Sequence, residues 1–473
     1  MIPMGEARHR KNAAEWVMWI AIAPLVLVAR IFSRFQRVLI FAALMSSFAL
    51  AKEDPAAAIE TVHREHVPHT DKHGHVLLKY DPKQSFFMIG SWGHVLPNGA
   101  GGPYPDFKEM TDAGFNTIWP LNWDDAAIPL AEQADIQLVY MGAMDAARQK
   151  KLKSHPNLLG NMWTDEPTGK LNIPDFDMDE YFGTFTTYKK QVNESMPGLP
   201  VFINDPPAIF PDPPKFKQWW LKWNTAGDIS CQDNYPLVDR QHRTRSLAQD
   251  PTGIPQMVSL AVSSNGGKKP VWTIVGAFSS PNDAQWAFRM PTPMQLRAQV
   301  YTAVTSGATG IAYFILDSHE SRRAGCIGFN PQPKAQYASG EAAIATPADL
   351  VQSKALWEMT RQINTELRAL SPSILSPTAG ADVPYKVAVK GESTVTKTPL
   401  RCLLKHDPAG GYELLTVNTD DAALDVTFDF PNALKTVEPR FDNRPHRTLD
   451  TARKKWADRY EPFDVHVYRL TLP

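Results

Sequence analysis

Short apolar runs recur along the middle of the chain, and each is followed by a longer stretch with apolar residues at helical spacing. Continuous apolar runs of this length are typical of strands buried on both faces, and the intervening stretches are long enough for crossover helices. There are eight such runs, at 86–90, 117–121, 137–141, 158–163, 200–203, 228–231, 271–275 and 311–316. Eight strand–helix units favour a (β/α)8 TIM barrel, which typically takes about 250 residues; the alternative is an open, doubly wound sheet with extra strands.

The pattern changes after Pro372. Strand-like runs separated by turn signals follow without intervening helices, at 386–389, 400–404, 412–417, 424–430 and 465–472. Strands without helices after a βα repeat indicate a separate all-β domain. We therefore predict a polar lead-in over 52–83, a barrel over 84–371 and a small C-terminal β-sandwich over 376–473.

The first 51 residues have the pattern of an export signal. Three arginines precede the apolar run 38–48, which ends in an Ala-Leu-Ala sequence at 49–51. A charged region, an apolar region and such a cleavage site, in this order, are typical of a secretory signal peptide. The stretch 13–28 is also mostly apolar, so either translation starts further downstream or this stretch is a membrane anchor, although spanning a bilayer takes about 20 residues. We expect cleavage after Ala51 and a secreted or periplasmic protein.

Composition narrows the classes of partner and cofactor. The chain has 49 basic and 50 acidic residues, and this balance gives no basic surface for nucleic acid. Only three cysteines are present, none in a C-x-x-C motif, which argues against a disulfide-dense scaffold. No P-loop or G-x-G-x-x-G motif calls for a nucleotide, so we expect no cofactor. Five histidines between 63 and 75 lack further ligands at metal-binding spacing, so we expect no metal site.

In a (β/α)8 barrel, catalytic groups lie at the carboxyl ends of the strands. Here carboxylates, amides and tryptophans follow the apolar runs. Enzymes that act on sugars use these side chains: aromatic rings stack on pyranose rings, and two carboxyl groups act as the acid and as the nucleophile or base. The candidate catalytic residues are Glu166 and Asp233. The candidate substrate-binding residues are Trp92, His94, Trp119, Asn122, Trp123, Trp163, Asp165, Asn204, Tyr235 and Asp317.

Several of these segments resemble a known superfamily. Residues 155–167, which read HPNLLGNMWTDEP, resemble the end of the fourth strand in (β/α)8 glycoside hydrolases of the cellulase-like and β-galactosidase-like type. Segment 233–236 is similar to the sixth-strand segment of that group, 294–314 to its seventh helix and eighth strand, and 464–468 to the close of its C-terminal sandwich. The resemblance implies a glycoside hydrolase that cleaves O-glycosidic bonds of a poly- or oligosaccharide, with Glu166 as the acid/base. Together with the signal pattern, it predicts an exported enzyme.

One departure from the superfamily leaves the mechanism open. The seventh strand of retaining members usually ends in the Glu nucleophile, whereas the run 271–278 contains no carboxylate. The second carboxylate is then Asp233, or Asp317, or it is missing. A separation of about 5–5.5 Å from Glu166 would retain configuration, and about 6.5–9.5 Å would invert it. A non-catalytic carbohydrate-binding barrel and a metal-dependent hydrolase or deacetylase therefore stay open as alternatives.

The sequence also assigns supporting roles to several neighbours of these residues. Asp165 is expected to raise the pKa of the adjacent Glu166 by charge repulsion. Cys231 has no histidine at a recognisable partner position and is expected to be a small buried residue rather than a nucleophile. Trp219, Trp220 and Trp223 are expected to form one helix face that packs on the barrel.

Overall fold

A computed structural model of the protein describes fourteen ranges of the chain, and all structural statements concern these residues. They are 86–93, 105–119, 127–207, 213–238, 247–248, 253–280, 287–316, 326–330, 347–376, 378–379, 383–391, 399–442, 447–450 and 452–473. The predicted signal peptide and lead-in lie outside them. Within these ranges, no helix combines the length and the apolar character needed to cross a bilayer.

Eight parallel strands form a closed barrel, in which each strand pairs with the next and β8 pairs with β1. The strands are β1 (Met88–Trp92), β2 (Thr117–Trp119), β3 (Gln137–Met141), β4 (Leu158–Asp165), β5 (Val201–Asp205), β6 (Ser230–Asn234), β7 (Val271–Gly276) and β8 (Gly310–Phe314). Each of the eight predicted runs contributes one strand, so the predicted (β/α)8 fold is confirmed. An open doubly wound sheet is excluded by the closure between β8 and β1.

A helix follows every strand of the barrel. The helices are α1 (Phe107–Asp112), α2 (Ala127–Gln133), α3 (Ala146–Leu152), α4 (Met178–Ser195), α5 (Pro213–Ala226), α6 (Ile254–Ser264), α7 (Pro293–Thr305) and α8 (Pro347–Ile374). Local sequence sets their starts: α7 begins with a capping box between Thr292 and Gln295, with a proline at the first helical position. A short 3-10 helix, Pro167–Asn172, precedes α4.

Large aromatic side chains and glycines together fill the inside of the barrel. Trp119 and Trp272 are fully buried there and pack edge to face, with ring centroids 5.9 Å apart. Gly310 makes room for one of these rings, because a Cβ at this position would lie 2.6 Å from Trp272. The interior is therefore packed, and only the edge where the strands' carboxyl ends meet, here called the mouth, is available for chemistry.

The C-terminal region consists of two antiparallel sheets, with strand orders β10-β11-β15-β13 and β14-β12-β9. Five strands match the predicted runs: β9 (Lys386–Lys390), β10 (Leu400–His406), β11 (Tyr412–Asn418), β12 (Leu424–Asp429) and β15 (Val465–Thr471). The predicted all-β region is confirmed. The sequence analysis missed β13 (Thr436–Arg440), which contains a proline, and β14 (Lys455–Tyr460), which is largely polar with a half-exposed pattern.

A buried ionic network joins the barrel to the C-terminal sheets. Glu366 of α8 accepts hydrogen bonds from Arg297 Nε (3.0 Å) and from the Tyr301 hydroxyl (2.7 Å), both on α7. A second nitrogen of Arg297 donates to the carbonyl of Val465 at the start of β15 (2.9 Å). Residues of α7, α8, β11 and β15 also share one hydrophobic cluster. These contacts support the view that the C-terminal region buttresses the barrel.

We predict that Glu366→Ala lowers the free energy of unfolding by about 3–5 kcal/mol, because it leaves the charge of Arg297 buried without its partner. Urea denaturation of the full chain measures this. The matched control is Glu358→Ala, which removes an exposed ion pair with Arg361 on the same helix and should change stability by less than about 1 kcal/mol. Equal effects of the two variants would contradict a structural role of the buried network.

Candidate active site

The carboxyl ends of β4, β5 and β6 lie side by side at the mouth and carry a cluster of polar side chains. Parallel pairing aligns Asp165 of β4 with Asn204 of β5, and Asn204 with Cys231 of β6. Asp233 lies two residues after Cys231 on β6 and therefore on the same face of the strand. The strand register thus collects Asp165, Glu166 and Asp233 around Asn204.

Glu166 directly follows β4 and has a left-handed backbone conformation, with φ 46° and ψ 51°. This conformation costs a non-glycine residue about 1–2 kcal/mol, so the surroundings must stabilise it. Its N–H donates to the carbonyl of Asn204 (2.8 Å), and its own carbonyl accepts from the N–H of Gly169 (3.1 Å). Pro167 then begins the 3-10 helix. A strained non-glycine residue held in this way at a strand end is typical of a functional position.

Asp233 is the centre of the hydrogen-bond network. Its side chain is only 3% exposed and accepts a hydrogen bond from Asn204 Nδ2 (3.1 Å). The Tyr235 hydroxyl also donates to it. Glu166 also shares a hydrogen bond with Asp233, and this contact raises the pKa of Glu166. Donors favour the ionised form of the carboxyl that accepts from them. Once Asp233 has lost its own proton, above about pH 7, the arrangement therefore favours a negative charge on Asp233 and a proton on Glu166.

Asn204 links two carboxylates through its side-chain amide. Nδ2 donates to Asp165 Oδ1 (2.9 Å) and to Asp233 Oδ1 (3.1 Å), which uses both of its hydrogens. Its Oδ1 accepts from the thiol of Cys231, with 3.6 Å between sulfur and oxygen. Cys231 is fully buried, as expected for a small interior residue, and Asn204 is 2% exposed. Asn204 therefore orders the carboxylates, whereas the sequence analysis expected it to bind substrate.

The protein around the cluster shifts the titration of its carboxyl groups. Desolvation is the largest cause that raises the pKa of Glu166 well above its ordinary value, and the negative charge of Asp233 is the second. The charge of Asp165 adds to this shift, as the sequence predicted. Burial raises the pKa of Asp165 to about 6 and that of Asp233 to about 7, against hydrogen bonds that lower both.

Glu166 is accessible from solvent. Protein surrounds Asp165 and Glu166 on most sides, which accounts for their desolvation, yet both residues remain exposed at the mouth. A carboxyl group whose pKa is raised well above its ordinary value and that a ligand can reach meets the two requirements of a general acid.

Asp205, which was not among the predicted site residues, fixes the turn that follows Glu166. Its buried carboxylate accepts from the backbone N–H of Thr168 (3.0 Å) and from the Thr168 hydroxyl. Thr168 lies in the first turn of the 3-10 helix, so these bonds tie the end of β5 to the segment after β4. Asp205 directly follows Asn204 at a strand end, and this position is the sequence signal that would have identified Asp205 as a site residue.

Trp163 is not part of the mouth. Its ring lies in the layer between the barrel and the helices, with centroids 4.9 Å from Tyr181 of α4 and 6.3 Å from Trp223 of α5. The expected role as a sugar platform is therefore not supported by its position. Trp220 and Trp223 are fully buried and Trp219 is partly buried, in agreement with the expectation that α5 packs this face on the barrel.

Two other predicted tryptophans lie inside the barrel and at its edge. Trp119 is fully buried, and its ring stacks at 6.3 Å on Trp92, so it belongs to the barrel core and offers no free face to a sugar. Trp92 ends β1, is 5% exposed and packs edge to face on the half-buried Phe314 of β8 at 5.9 Å. This pair forms the part of the mouth opposite β4 and β5.

The end of β7 contains no carboxylate, through Ser280. Aromatic rings fill the space next to it: Tyr235 lies 5.2 Å from Phe278 and 5.4 Å from Phe314, measured between ring centroids. Gly276 is closely approached by one of these rings, since a Cβ there would lie 3.1 Å from Tyr235. The strand end that carries no carboxylate is thus packed against aromatic side chains.

Four predicted site residues lie outside the described residues. They are His94, Asn122, Trp123 and Asp317. The histidines between 63 and 75 lie outside them as well. Across the described ranges, no group of three or more His, Cys, Asp or Glu side chains has an arrangement suited to a metal ion.

Residues 154–326 match the model of a family described as β-galactosidase, glycoside hydrolase family 42. This segment covers more than a third of the chain and contains the ends of β4, β5 and β6. The match confirms the predicted resemblance to (β/α)8 glycoside hydrolases and supports a glycoside hydrolase as the class of enzyme. No curated protein sequence matches the chain significantly.

Several solved structures share the general architecture at low sequence identity. One described as a glycoside hydrolase has a TM-score of 0.49 at 11% identity, covering 86% of this chain and 96% of that chain. A family 39 glycoside hydrolase from Bacteroides cellulosilyticus has 0.47 at 10%, covering 86% and 83%. A family 51 α-L-arabinofuranosidase from Bifidobacterium longum has 0.44 at 12%, covering 87% and 99%. Likeness at this level carries no argument about substrate.

We predict that Asp233→Asn becomes more stable relative to the parent protein as the pH rises from about 4 to about 7. The pKa of Asp233 is raised to about 7, so the folded parent holds a proton that the unfolded chain releases near pH 4. Its stability therefore falls across this window. Urea denaturation at several pH values measures the difference. Glu194→Gln, the corresponding change at an exposed position of α4, is the control. Parallel pH profiles for all three proteins would contradict the raised pKa.

Proposed function

We propose that this glycoside hydrolase cleaves O-glycosidic bonds of a poly- or oligosaccharide, with Glu166 donating a proton to the departing oxygen. One observation carries the proposal: Glu166 is exposed at the mouth and hydrogen-bonded to Asp233, while burial and neighbouring charges hold its pKa well above the ordinary value. Cleavage of an unactivated glycosidic bond requires such an acid, because an alkoxide is a poor leaving group.

Asp233 supports Glu166 rather than acting across the substrate from it. A hydrogen-bonded pair of carboxyl groups leaves no space for a sugar ring between them, whereas a retaining pair stands about 5–5.5 Å apart. We assign to Asp233 the role of keeping the proton on Glu166 through its charge and its hydrogen bond. This replaces the nucleophile or base role that the sequence analysis placed first.

Asp317 is the remaining candidate for the second carboxylate. In a closed barrel of eight strands, β8 lies diametrically opposite β4, and Asp317 follows the end of β8 in the sequence. Asp317 lies outside the described residues, so its sequence position after β8 is what supports this assignment. The aromatic pair Trp92 and Phe314 borders the same side of the mouth, which suits the apolar face of a pyranose ring.

The second candidate function is a carbohydrate-binding barrel without catalysis. The absence of a carboxylate from β7 through Ser280 favours it. The strained, proton-holding Glu166 opposes it, because a binding protein has no need for a general acid. A metal-dependent hydrolase or deacetylase has no comparable support among the described side chains.

We predict that Glu166→Gln lowers release of reducing ends by about 10²–10⁴-fold, because an amide cannot act as a general acid. The full chain is screened on plant and microbial glycans, with β-galactosides included because of the family match. The loss should be much smaller on 2,4-dinitrophenyl glycosides, whose leaving group needs no proton. Glu194→Gln is the matched control and should keep the parent activity.

Each outcome of this screen decides between the candidates. Equal activity of Glu166→Gln and the parent would refute the assignment of Glu166. Binding of a glycan by both proteins, with product from neither, would favour the carbohydrate-binding barrel. Loss of parent activity on addition of a chelator would favour the metal-dependent hydrolase. Asp317→Asn tests the second carboxylate and should lose activity even on the dinitrophenyl substrates.

We also propose that the protein is exported. The support is the order of basic residues, apolar run and Ala-Leu-Ala sequence within the first 51 residues. Expression of the full chain in a secreting bacterial host should give a protein that starts at Lys52, as measured by mass spectrometry of the mature protein. An arginine in place of Ala51 should block this cleavage. An unprocessed parent chain that stays with the cells would contradict the proposal.

A further inference from the structure

We infer that Asn204 is a positioning residue that, oriented by the thiol of Cys231, assigns the proton of the carboxyl cluster to Glu166. The inference rests on the proposed role of Glu166 as the acid and adds how the protein keeps the proton there. It draws on three hydrogen bonds at the ends of β5 and β6.

The amide of Asn204 donates hydrogen bonds to Asp165 and Asp233 but not to Glu166. Its two N–H groups donate to Asp165 and to Asp233, at 2.9 and 3.1 Å. Because a donor favours a charged acceptor, both of these groups are stabilised in the ionised form. Glu166 receives no such bond from Asn204, because both N–H groups are used, and its contact with Asp233 raises the pKa of Glu166. The last proton of the cluster is therefore least costly on Glu166, which, like Asp165, is exposed at the mouth.

The thiol of Cys231 selects one of the two orientations of this amide. Its sulfur lies 3.6 Å from Asn204 Oδ1. Burial raises the pKa of Cys231 well above its ordinary value, so the group remains an S–H and can donate. In the flipped amide, the carbonyl oxygen would face two carboxylates and both N–H donations would be lost. The thiol and the two carboxylates therefore favour the same orientation of the Asn204 amide.

The other groups that face the cluster do not duplicate this role. The Tyr235 hydroxyl donates to Asp233, and the donors to Asp205 come from Thr168. Asn204, by contrast, bridges two carboxylates across neighbouring strands through its hydrogen bonds. The titratable groups that face one another here are Asp165 and Glu166 from the end of β4, Asp205 from β5, and Cys231, Asp233 and Tyr235 from β6 and its end.

Asn204→Leu tests the inference, because it keeps the side chain's size and removes both donors. Without the two donors, the ionised forms of Asp165 and Asp233 become less stable than in the parent protein. The aspartates then hold the proton for more of the time and Glu166 for less. The last proton also leaves the cluster at a higher pH. We expect the plateau rate on unactivated glycosides to fall about tenfold or more, and the alkaline limb of the pH–rate profile to move to higher pH. A purely structural defect would lower the rate without moving this limb.

A second readout does not depend on activity. Carbon-13 NMR of the aspartate carboxyl groups in the labelled full chain, assigned with Asp165→Asn and Asp233→Asn, reports their titration directly. In Asn204→Leu both groups should titrate at higher pH. The control is Asn161→Leu, which removes a buried amide of β4 that donates to the carbonyls of Tyr140 and Gly142 instead. It should leave these titrations unchanged.

Cys231 provides the matched pair of variants. Cys231→Ser keeps a donor and should titrate as the parent does, whereas Cys231→Ala should shift Asp165 and Asp233 in the same direction as Asn204→Leu, by less. Unchanged titration in Asn204→Leu would overturn the role of Asn204. Identical behaviour of the two cysteine variants would overturn that of the thiol. Shifted titrations in a protein that cleaves no glycoside would leave the proton placement intact and refute the proposed function instead.

Discussion

The site depends on one constraint: four carboxyl groups lie together at three adjacent strand ends, and the described side chains that donate hydrogen bonds to them are neutral. The parallel register of β4, β5 and β6 brings them together, and the donors are Asn204, Thr168 and Tyr235. Neutral donors stabilise a carboxylate without cancelling its charge. The remaining repulsion is relieved by a proton, and the site is organised around where that proton lies.

The same residue types have a different role where an arginine joins them. Glu366 is as buried as Asp205 and Asp233, but it lies in contact with Arg297 and Tyr301 and joins the barrel to the C-terminal sheets. A charge paired in this way serves the fold. Among the described residues, no arginine or lysine donates a hydrogen bond to the carboxyl groups at the mouth, and burial raises the pKa of all four, which suits proton transfer.

The rest of the fold offsets the unfavourable free energy of the groups at the mouth. Like charges in close contact and the left-handed conformation of Glu166 both oppose folding. They are held by a barrel interior packed with tryptophan against glycine, by the bond between Asp205 and Thr168, and by the sheets behind α7 and α8. Local strain within a rigid frame is the usual relation between an active site and its fold.

The sequence alone determined the architecture and the strand ends that carry chemistry. Eight apolar runs with intervening helical stretches specify a barrel because strands buried on both faces must be apolar throughout. The segment ending in Asp165-Glu166-Pro167 was placed at a strand end for the same reason, because polar residues that interrupt such a run must lie at its end. The acid role proposed for Glu166 came from the resemblance of this segment to glycoside hydrolases. The sequence did not reveal β13 or β14, whose polar residues weaken the strand pattern at the edge of a sheet.

Only the tertiary structure decided which way the side chains point and which of them touch. Successive residues of a strand face opposite sides, so one irregular step reverses every later assignment. The pairing of β4 with β5 shifts between Met162 and Asp165. This shift is invisible in the sequence, and it leaves Trp163 among the helices while Asp165 reaches the mouth. Contacts such as that of Asp233 with Glu166, or of Asn204 with Cys231, depend on register between strands far apart in the chain, which no local pattern records.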